Sequence, residues 1–76
     1  MSRMIARIVN ESAEPLETTE VHLKVQHAAA ELGIKGLERP ALLYRLANLR
    51  ADGAIKGKQI GSGMGSWIWW GKSFRR

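Results

Sequence analysis

Residues 46–70 read LANLRADGAIKGKQIGSGMGSWIWW, and this stretch decides the fold. Its first part has leucines at helical spacing and runs to Gly53, a residue type that ends helices because it adopts the left-handed conformation without strain. Two short segments follow, 54–60 and 66–70, and the glycine-rich segment 61–65 between them has the composition of a tight turn. The stretch therefore predicts a helix that is followed directly by a β-hairpin.

The helix before this hairpin is predicted at about residues 39–52. Pro40 stands in its first turn, where the missing N–H of proline has no cost. Its leucines recur at the spacing of one buried row with a fourth beside it: Leu42, Leu46, Leu49 and Leu43. At about 100° per residue, three other side chains face away from that row: Ala41, Tyr44 and Asn48.

A second helix is predicted upstream, at about residues 19–32. Thr18 or Thr19 is its expected N-cap, and Gly33 is expected to end it. A short strand over Val21–Val25 is the alternative, because these residues also alternate between apolar and polar with period two.

The N-terminal segment predicts a first helix at about residues 2–11. Four apolar side chains share one of its faces: Met4, Ile5, Ile8 and Val9. A strand over Met4–Val9 is the alternative, and residues 10–15 are predicted to form a loop. Together the patterns predict one α+β domain over residues 1–76, with three helices, a two-stranded hairpin at about 54–71 and a basic tail at 72–76.

Charge is distributed unevenly along the chain. The net charge is +5, but residues 1–34 contain three basic and five acidic residues (−2), whereas residues 35–76 contain nine and two (+7). A basic half of this kind suits a polyanion such as nucleic acid, because each phosphate that it neutralises releases counterions.

Several classes of function are disfavoured by the composition. A chain of 76 residues has little room for a deep catalytic cavity, and without cysteine it has no disulfide, thiolate nucleophile or cysteine-based zinc site. His22 and His27 would lie about 140° apart around a helix, which does not suit a shared zinc ion. We therefore expect a non-enzymatic, cytoplasmic protein with no metal, no cofactor and no membrane segment.

Two helices, a connection and a hairpin in this order resemble the winged helix-turn-helix superfamily of bacterial transcription regulators. The resemblance covers roughly residues 18–71 and rests on the Leu-x-x-Leu-x-x-x-Gly-x-Ile pattern of Leu46–Ile55. The second hairpin strand, Gly63–Trp70, is similar to the aromatic wing strand of the small pilus-operon regulators. The resemblance implies that the third helix enters the major groove of DNA and that the hairpin, the wing, contacts the backbone or minor groove.

On this resemblance the chain is a sequence-specific, nucleoid-associated regulator of bacterial or mobile-element type that binds double-stranded DNA. The implied DNA-contacting positions are Lys35, Arg39, Ala41, Tyr44, Arg45, Asn48, Lys56 and Lys58. Arg39 is expected to contact guanine, and Asn48 is expected to contact adenine. The two wing lysines are expected to bind phosphates without reading sequence.

One departure concerns the connection before the third helix. The family pattern leaves about four residues there, whereas seven residues, 35–41, separate Ile34 from Leu42 in this chain. The longer connection implies a displaced third helix or an extra half-turn at its start.

The tryptophans of the last strand divide between its two faces. Side chains alternate along a strand, so Trp67 and Trp69 share one face and Ile68 and Trp70 share the other. We expect Trp67 and Trp69 to pack on the helices and Trp70 to be exposed enough to contact a partner. The alternative function is a winged-helix protein-interaction module, such as an adaptor or a phage-type inhibitor, that uses this basic and aromatic surface.

Overall fold

The computed structural model describes residues 1–61 and 66–73. In these two ranges the chain forms three helices and three strands, in the order α1 (Ser2–Glu11), β1 (Leu16–Glu17), α2 (Thr18–Glu31), α3 (Arg39–Ala51), β2 (Ile55–Gln59) and β3 (Trp67–Gly71). The predicted α+β composition, the three helices and the hairpin are confirmed.

The two alternative strands are not formed, because Met4–Val9 and Val21–Val25 are both helical. Most of the predicted glycine-rich turn (62–65) and the end of the predicted basic tail (74–76) lie outside the described residues. Across the described part of the chain, every helix is too short or too polar to cross a membrane.

The prediction of a two-stranded sheet is wrong, because the hairpin belongs to a sheet of three strands. β2 and β3 pair antiparallel, with Gly57 opposite Trp69, and β1 pairs antiparallel with the other edge of β3, with Leu16 opposite Trp69. The strand order is therefore β1-β3-β2. Sequence analysis missed β1 because two residues are too few to show an alternating pattern.

The prediction of a threonine cap for α2 is also wrong. Glu17, the last residue of β1, is the N-cap, and its N–H donates to Glu20 Oε1 at 3.2 Å. Thr18 is the first helical residue and is 3% exposed. Because β1 runs directly into α2, the Thr18 side chain points into the core, where its hydroxyl accepts a hydrogen bond from Trp69 Nε1 at 2.9 Å.

The ends of α2 and α3 lie within one residue of their predicted positions. Gly33 and Gly53 follow them with φ of 70° and 80°, a conformation that glycine adopts without strain. After α2, Ile34 N–H donates to Ala29 O at 2.9 Å, which closes a Schellman motif, and the same pattern of bonds follows α3.

The core lies between the helices and the inner face of the sheet. The predicted leucine row of α3 is confirmed for Leu42 and Leu46, which are fully buried. Trp69 is 2% exposed and Trp67 packs against the same cluster, which confirms their inward orientation. The buried apolar side chains are Ile5, Val9, Leu16, Val21, Val25, Ala29, Leu42, Leu46, Ile55 and Trp69.

One polar side chain joins both ends of the hairpin to α1. Asn10 Nδ2 donates to Ala54 O at 3.1 Å, just before β2, and Asn10 Oδ1 accepts from Lys72 N–H at 3.0 Å, just after β3. Gly71 lies so close to this residue that a Cβ there would be 2.9 Å from the Asn10 Cα. The packing of the hairpin on α1 therefore depends on Asn10.

We expect Asn10→Ala to lower the free energy of unfolding by about 1 to 2 kcal/mol, because three backbone groups lose a hydrogen-bond partner, two of them at the ends of the hairpin. Thermal unfolding followed by circular dichroism measures the loss, at about 4 to 8 °C per kcal/mol for a domain of this size. Asn48→Ala is the matched control, since the Asn48 side chain is exposed and makes no hydrogen bond within the described residues. Equal melting temperatures for the two variants would contradict the prediction.

Candidate nucleic-acid interface

The position of α3 is set by the connection that precedes it. This irregular segment, residues 34–38, is held to α2 at Leu37, whose N–H donates to Gln26 Oε1 at 2.9 Å and whose carbonyl accepts from His22 Nε2 at 2.7 Å. The Leu37 side chain packs against the core. Since His22 and Gln26 lie one turn apart, one face of α2 satisfies both polar groups of Leu37.

The order of these contacts gives the direction of the connection. Leu37 bonds to Gln26 and His22. Two residues later, Arg39 bonds to Thr19, which lies nearer the start of α2. The chain therefore runs back along α2, and α3 begins beside the first turn of α2. Of the seven residues between Ile34 and Leu42, residues 35–38 belong to this return and residues 39–41 form additional helix at the start of α3, before the buried Leu42.

One face of α3 points to solvent. It consists of the exposed residues Ala41, Tyr44, Ala47 and Asn48, here called the α3 face. Tyr44 is 71% exposed. The outward orientation predicted for Ala41, Tyr44 and Asn48 is confirmed. The four side chains are uncharged, and two of them are single methyl groups.

Three arginines flank the α3 face and are here called the arginine frame. Each donates one hydrogen bond to a different element: Arg39 Nη1 to Thr19 Oγ1 of α2 (3.2 Å), Arg45 Nη1 to Ser2 Oγ of α1 (2.9 Å) and Arg50 Nε to Gly57 O of β2 (3.0 Å). On a helical wheel, Arg39 and Arg50 lie about 60° to 80° from Leu42 in one direction, and Arg45 lies about 60° from it in the other. Cations therefore border both sides of the α3 face.

The arginine frame was predicted only in part. Sequence analysis assigned Arg39 and Arg45 to the site but missed Arg50. The available signal was the spacing of Arg39 and Arg50, which places both on one side of the helix three turns apart. A guanidinium has five N–H donors, and each of the three arginines donates one hydrogen bond within the domain. Within residues 1–61 and 66–73, the remaining N–H donors of these arginines have no hydrogen bond or ion pair.

The remaining predicted cations lie away from α3. Lys35 is exposed in the connection. Lys56 and Lys58 alternate with the buried Ile55, so they point to the outer face of the sheet, away from the helices. The structure thus brings five of the eight predicted positions together on α3 and places the two wing lysines on a different surface.

Arg50 also fixes the hairpin to α3 through stacked rings. Its guanidinium carbon lies 5.2 Å from the centroid of the Trp67 ring. Trp67 stacks on Trp69, with centroids 5.2 Å apart and 15° between the ring planes. The Trp69 ring lies across Gly57, where a Cβ would overlap it. Sequence analysis missed both the stack and the need for glycine at this position, because neither has a local signal in the strand.

No family model, curated protein or solved structure matches this chain. The resemblance to the winged helix-turn-helix superfamily therefore stays a prediction from sequence. In chemical terms, the site is an uncharged, solvent-facing helix between cations, which suits a ligand with negative charge on both sides of a neutral centre.

Proposed function

We propose that this domain is a winged helix that binds double-stranded DNA, with α3 in the major groove and the hairpin as its wing. The observation that carries the proposal is the uncharged α3 face with arginines on both sides. A major groove presents base edges at its centre and a phosphate backbone along each side. The α3 face and the arginine frame have the complementary arrangement.

The α3 face suits close contact with base edges. Ala41 and Ala47 end in methyl groups, which let the helix approach closely and can contact a thymine methyl group. The Asn48 amide can bond to adenine through two hydrogen bonds. Tyr44 is largely exposed, and its hydroxyl both donates and accepts.

The arginine frame suits phosphate contacts. Each guanidinium is already held by one hydrogen bond to the domain, so it loses less conformational freedom when it binds a phosphate. We assign Arg39 to a phosphate, in place of the guanine contact that the resemblance implies, because its bond to Thr19 holds it beside the α3 face.

We expect Arg39→Gln to weaken binding to every duplex by a similar factor. The slope of log K against log salt concentration should fall in magnitude by about 0.9, the value for one phosphate. Fluorescence anisotropy with a random duplex at several salt concentrations measures both quantities. The control is Lys24→Gln, which removes the same charge from the exposed side of α2 opposite the connection. An unchanged slope in Arg39→Gln would refute the phosphate contact, and wild-type binding that is absent or independent of salt would refute DNA binding.

Asn48→Ala should instead change which DNA sequence the domain prefers. On the best site selected from a random duplex pool, we expect a loss of about 1 to 3 kcal/mol, because a bidentate base contact is removed. On random duplexes the loss should be smaller. Competition between the selected and the random duplex measures the difference. If Asn48→Ala weakens both duplexes equally, as we expect of Arg39→Gln, then Asn48 does not read a base.

A further inference from the structure

The sheet has a second surface that α3 does not share. Its side chains, here called the outer sheet face, are Lys56, Lys58, Ile68 and Trp70. Strand pairing places Lys56 opposite Trp70 and Lys58 opposite Ile68. All four point away from the helices, because they alternate along β2 and β3 with buried residues of the inner face.

The lysines of the outer sheet face are available to a ligand. Both are exposed, and within residues 1–61 and 66–73 neither has an ion pair or a side-chain hydrogen bond. They stand two residues apart on one strand, about 6.6 Å, so they form a short row of positive charge along β2.

The centre of the outer sheet face is apolar, and its far side is acidic. Ile68 and Trp70 are half-buried beside the lysine row. On the other side of β3, the exposed Glu17 of β1 pairs with Ile68. The surface therefore changes from basic along β2, through an aliphatic and an aromatic side chain, to acidic at β1.

We propose that the outer sheet face binds single-stranded nucleic acid. The bases of a single strand are free to stack on an aromatic ring, whereas the bases of a duplex are already stacked on one another. Trp70 provides the ring, and the row of Lys56 and Lys58 contacts the phosphates of a strand that runs along β2. Glu17 repels phosphates, so it holds the backbone on the lysine side.

The pattern of charge and ring favours a nucleic acid over an acidic protein segment. Each nucleotide of a single strand has one charged phosphate and one flat base. Lys56 lies directly opposite Trp70 in the sheet, so a cation for the phosphate and a ring for the base are side by side. The inference does not depend on duplex binding by α3, because the outer sheet face and the α3 face have no residue in common.

Titration of the intact domain with an oligothymidylate of about 12 nucleotides tests the inference. We expect quenching of tryptophan fluorescence and shifts of the amide NMR signals of Lys56, Lys58, Ile68 and Trp70, with little change at the α3 face. Trp70→Leu, which keeps apolar bulk without a ring, should weaken binding about 5- to 150-fold. Trp70→Phe should retain most of the affinity because it keeps an aromatic ring.

The contribution of the two lysines is tested separately from that of Trp70. Lys56→Gln combined with Lys58→Gln should lower the magnitude of the salt slope by about 1.4, at about 0.7 per phosphate of a single strand. The control combines Lys24→Gln with Arg3→Gln, which removes the same charge from exposed positions of α2 and α1. It should leave the slope unchanged. A thermal melt of each variant establishes that it is folded before the titration.

Three results would overturn the inference: equal affinity of the wild type and Trp70→Leu, amide shifts confined to α3, or failure of the domain to bind the oligothymidylate. Poly-glutamate that binds the same four residues at least as tightly would also overturn it and would identify an acidic protein as the occupant. Duplex binding at α3 without single-strand binding leaves the proposed function intact. Single-strand binding without duplex binding would support this inference and refute the proposed function.

Discussion

Trp69→Ala is expected to leave the domain largely unfolded at room temperature. Trp69 is 2% exposed in the central strand of the sheet. Its truncation removes about 3 to 5 kcal/mol of stability through lost burial and the resulting cavity. The buried Thr18 hydroxyl also loses its hydrogen-bond donor. A domain of this size obtains only about 3 to 5 kcal/mol from its core, so the loss is comparable with its whole stability.

Circular dichroism and urea unfolding of Trp69→Ala measure this effect, and Trp70→Ala is the matched control. Trp70 is the same residue type at the next position of β3, but it points to the outer sheet face and has no part in the buried core. We expect Trp70→Ala to remain folded. A folded Trp69→Ala beside an unfolded Trp70→Ala would reverse the assignment of the two sheet faces.

Gly57→Val is expected to lower the free energy of unfolding by about 3 kcal/mol, the upper end of the usual cost of overpacking a core. Strand propensity alone predicts the opposite sign, because valine is favoured over glycine in strands. The Cβ of any residue at this position would overlap the six-membered ring of Trp69. That ring is buried and stacked on Trp67, so it cannot move aside without strain in the core.

A double-mutant cycle with Trp69→Phe separates this overlap from other effects of the substitution. Phenylalanine has one ring fewer, so the cost of Gly57→Val should be smaller in the Trp69→Phe background. Urea unfolding of the four proteins gives the coupling energy. A Gly57→Val variant as stable as the wild type, or a coupling energy near zero, would show that Trp69 does not require glycine at position 57.

The features that sequence analysis predicted correctly are those with a local cause. Gly33 and Gly53 end their helices through their own backbone conformation. Each can therefore be recognised in the sequence as a glycine that directly follows a helical pattern of apolar residues. Strand alternation placed Trp69 and Trp70 on different faces of the sheet, and the resemblance to an aromatic wing strand placed Trp69 on the inner one. Helical spacing likewise placed Tyr44 and Asn48 on the solvent side of α3.

Several of the features that it missed depend on residues far apart in the chain. Trp69 bonds to Thr18 across 51 positions, and Arg45 bonds to Ser2 across 43. No spacing rule predicts such a pair. The threonine cap was wrong for the same reason, because Thr18 turns inward to meet Trp69. The separation of the wing lysines from α3 is an exception, because it follows from their alternation with the buried Ile55 along β2, a local signal that was not used.

The side chains of the α3 face take no part in the core or in the arginine frame. The side chains of α3 that fix the fold and those that we propose to contact base edges therefore stand at different positions of one helix, and they can be altered independently. A library randomised at positions 41, 44, 47 and 48 should yield mostly folded members, since these side chains are all exposed. Directed evolution at these four positions could then change ligand preference while the rest of the sequence is kept as a constant scaffold.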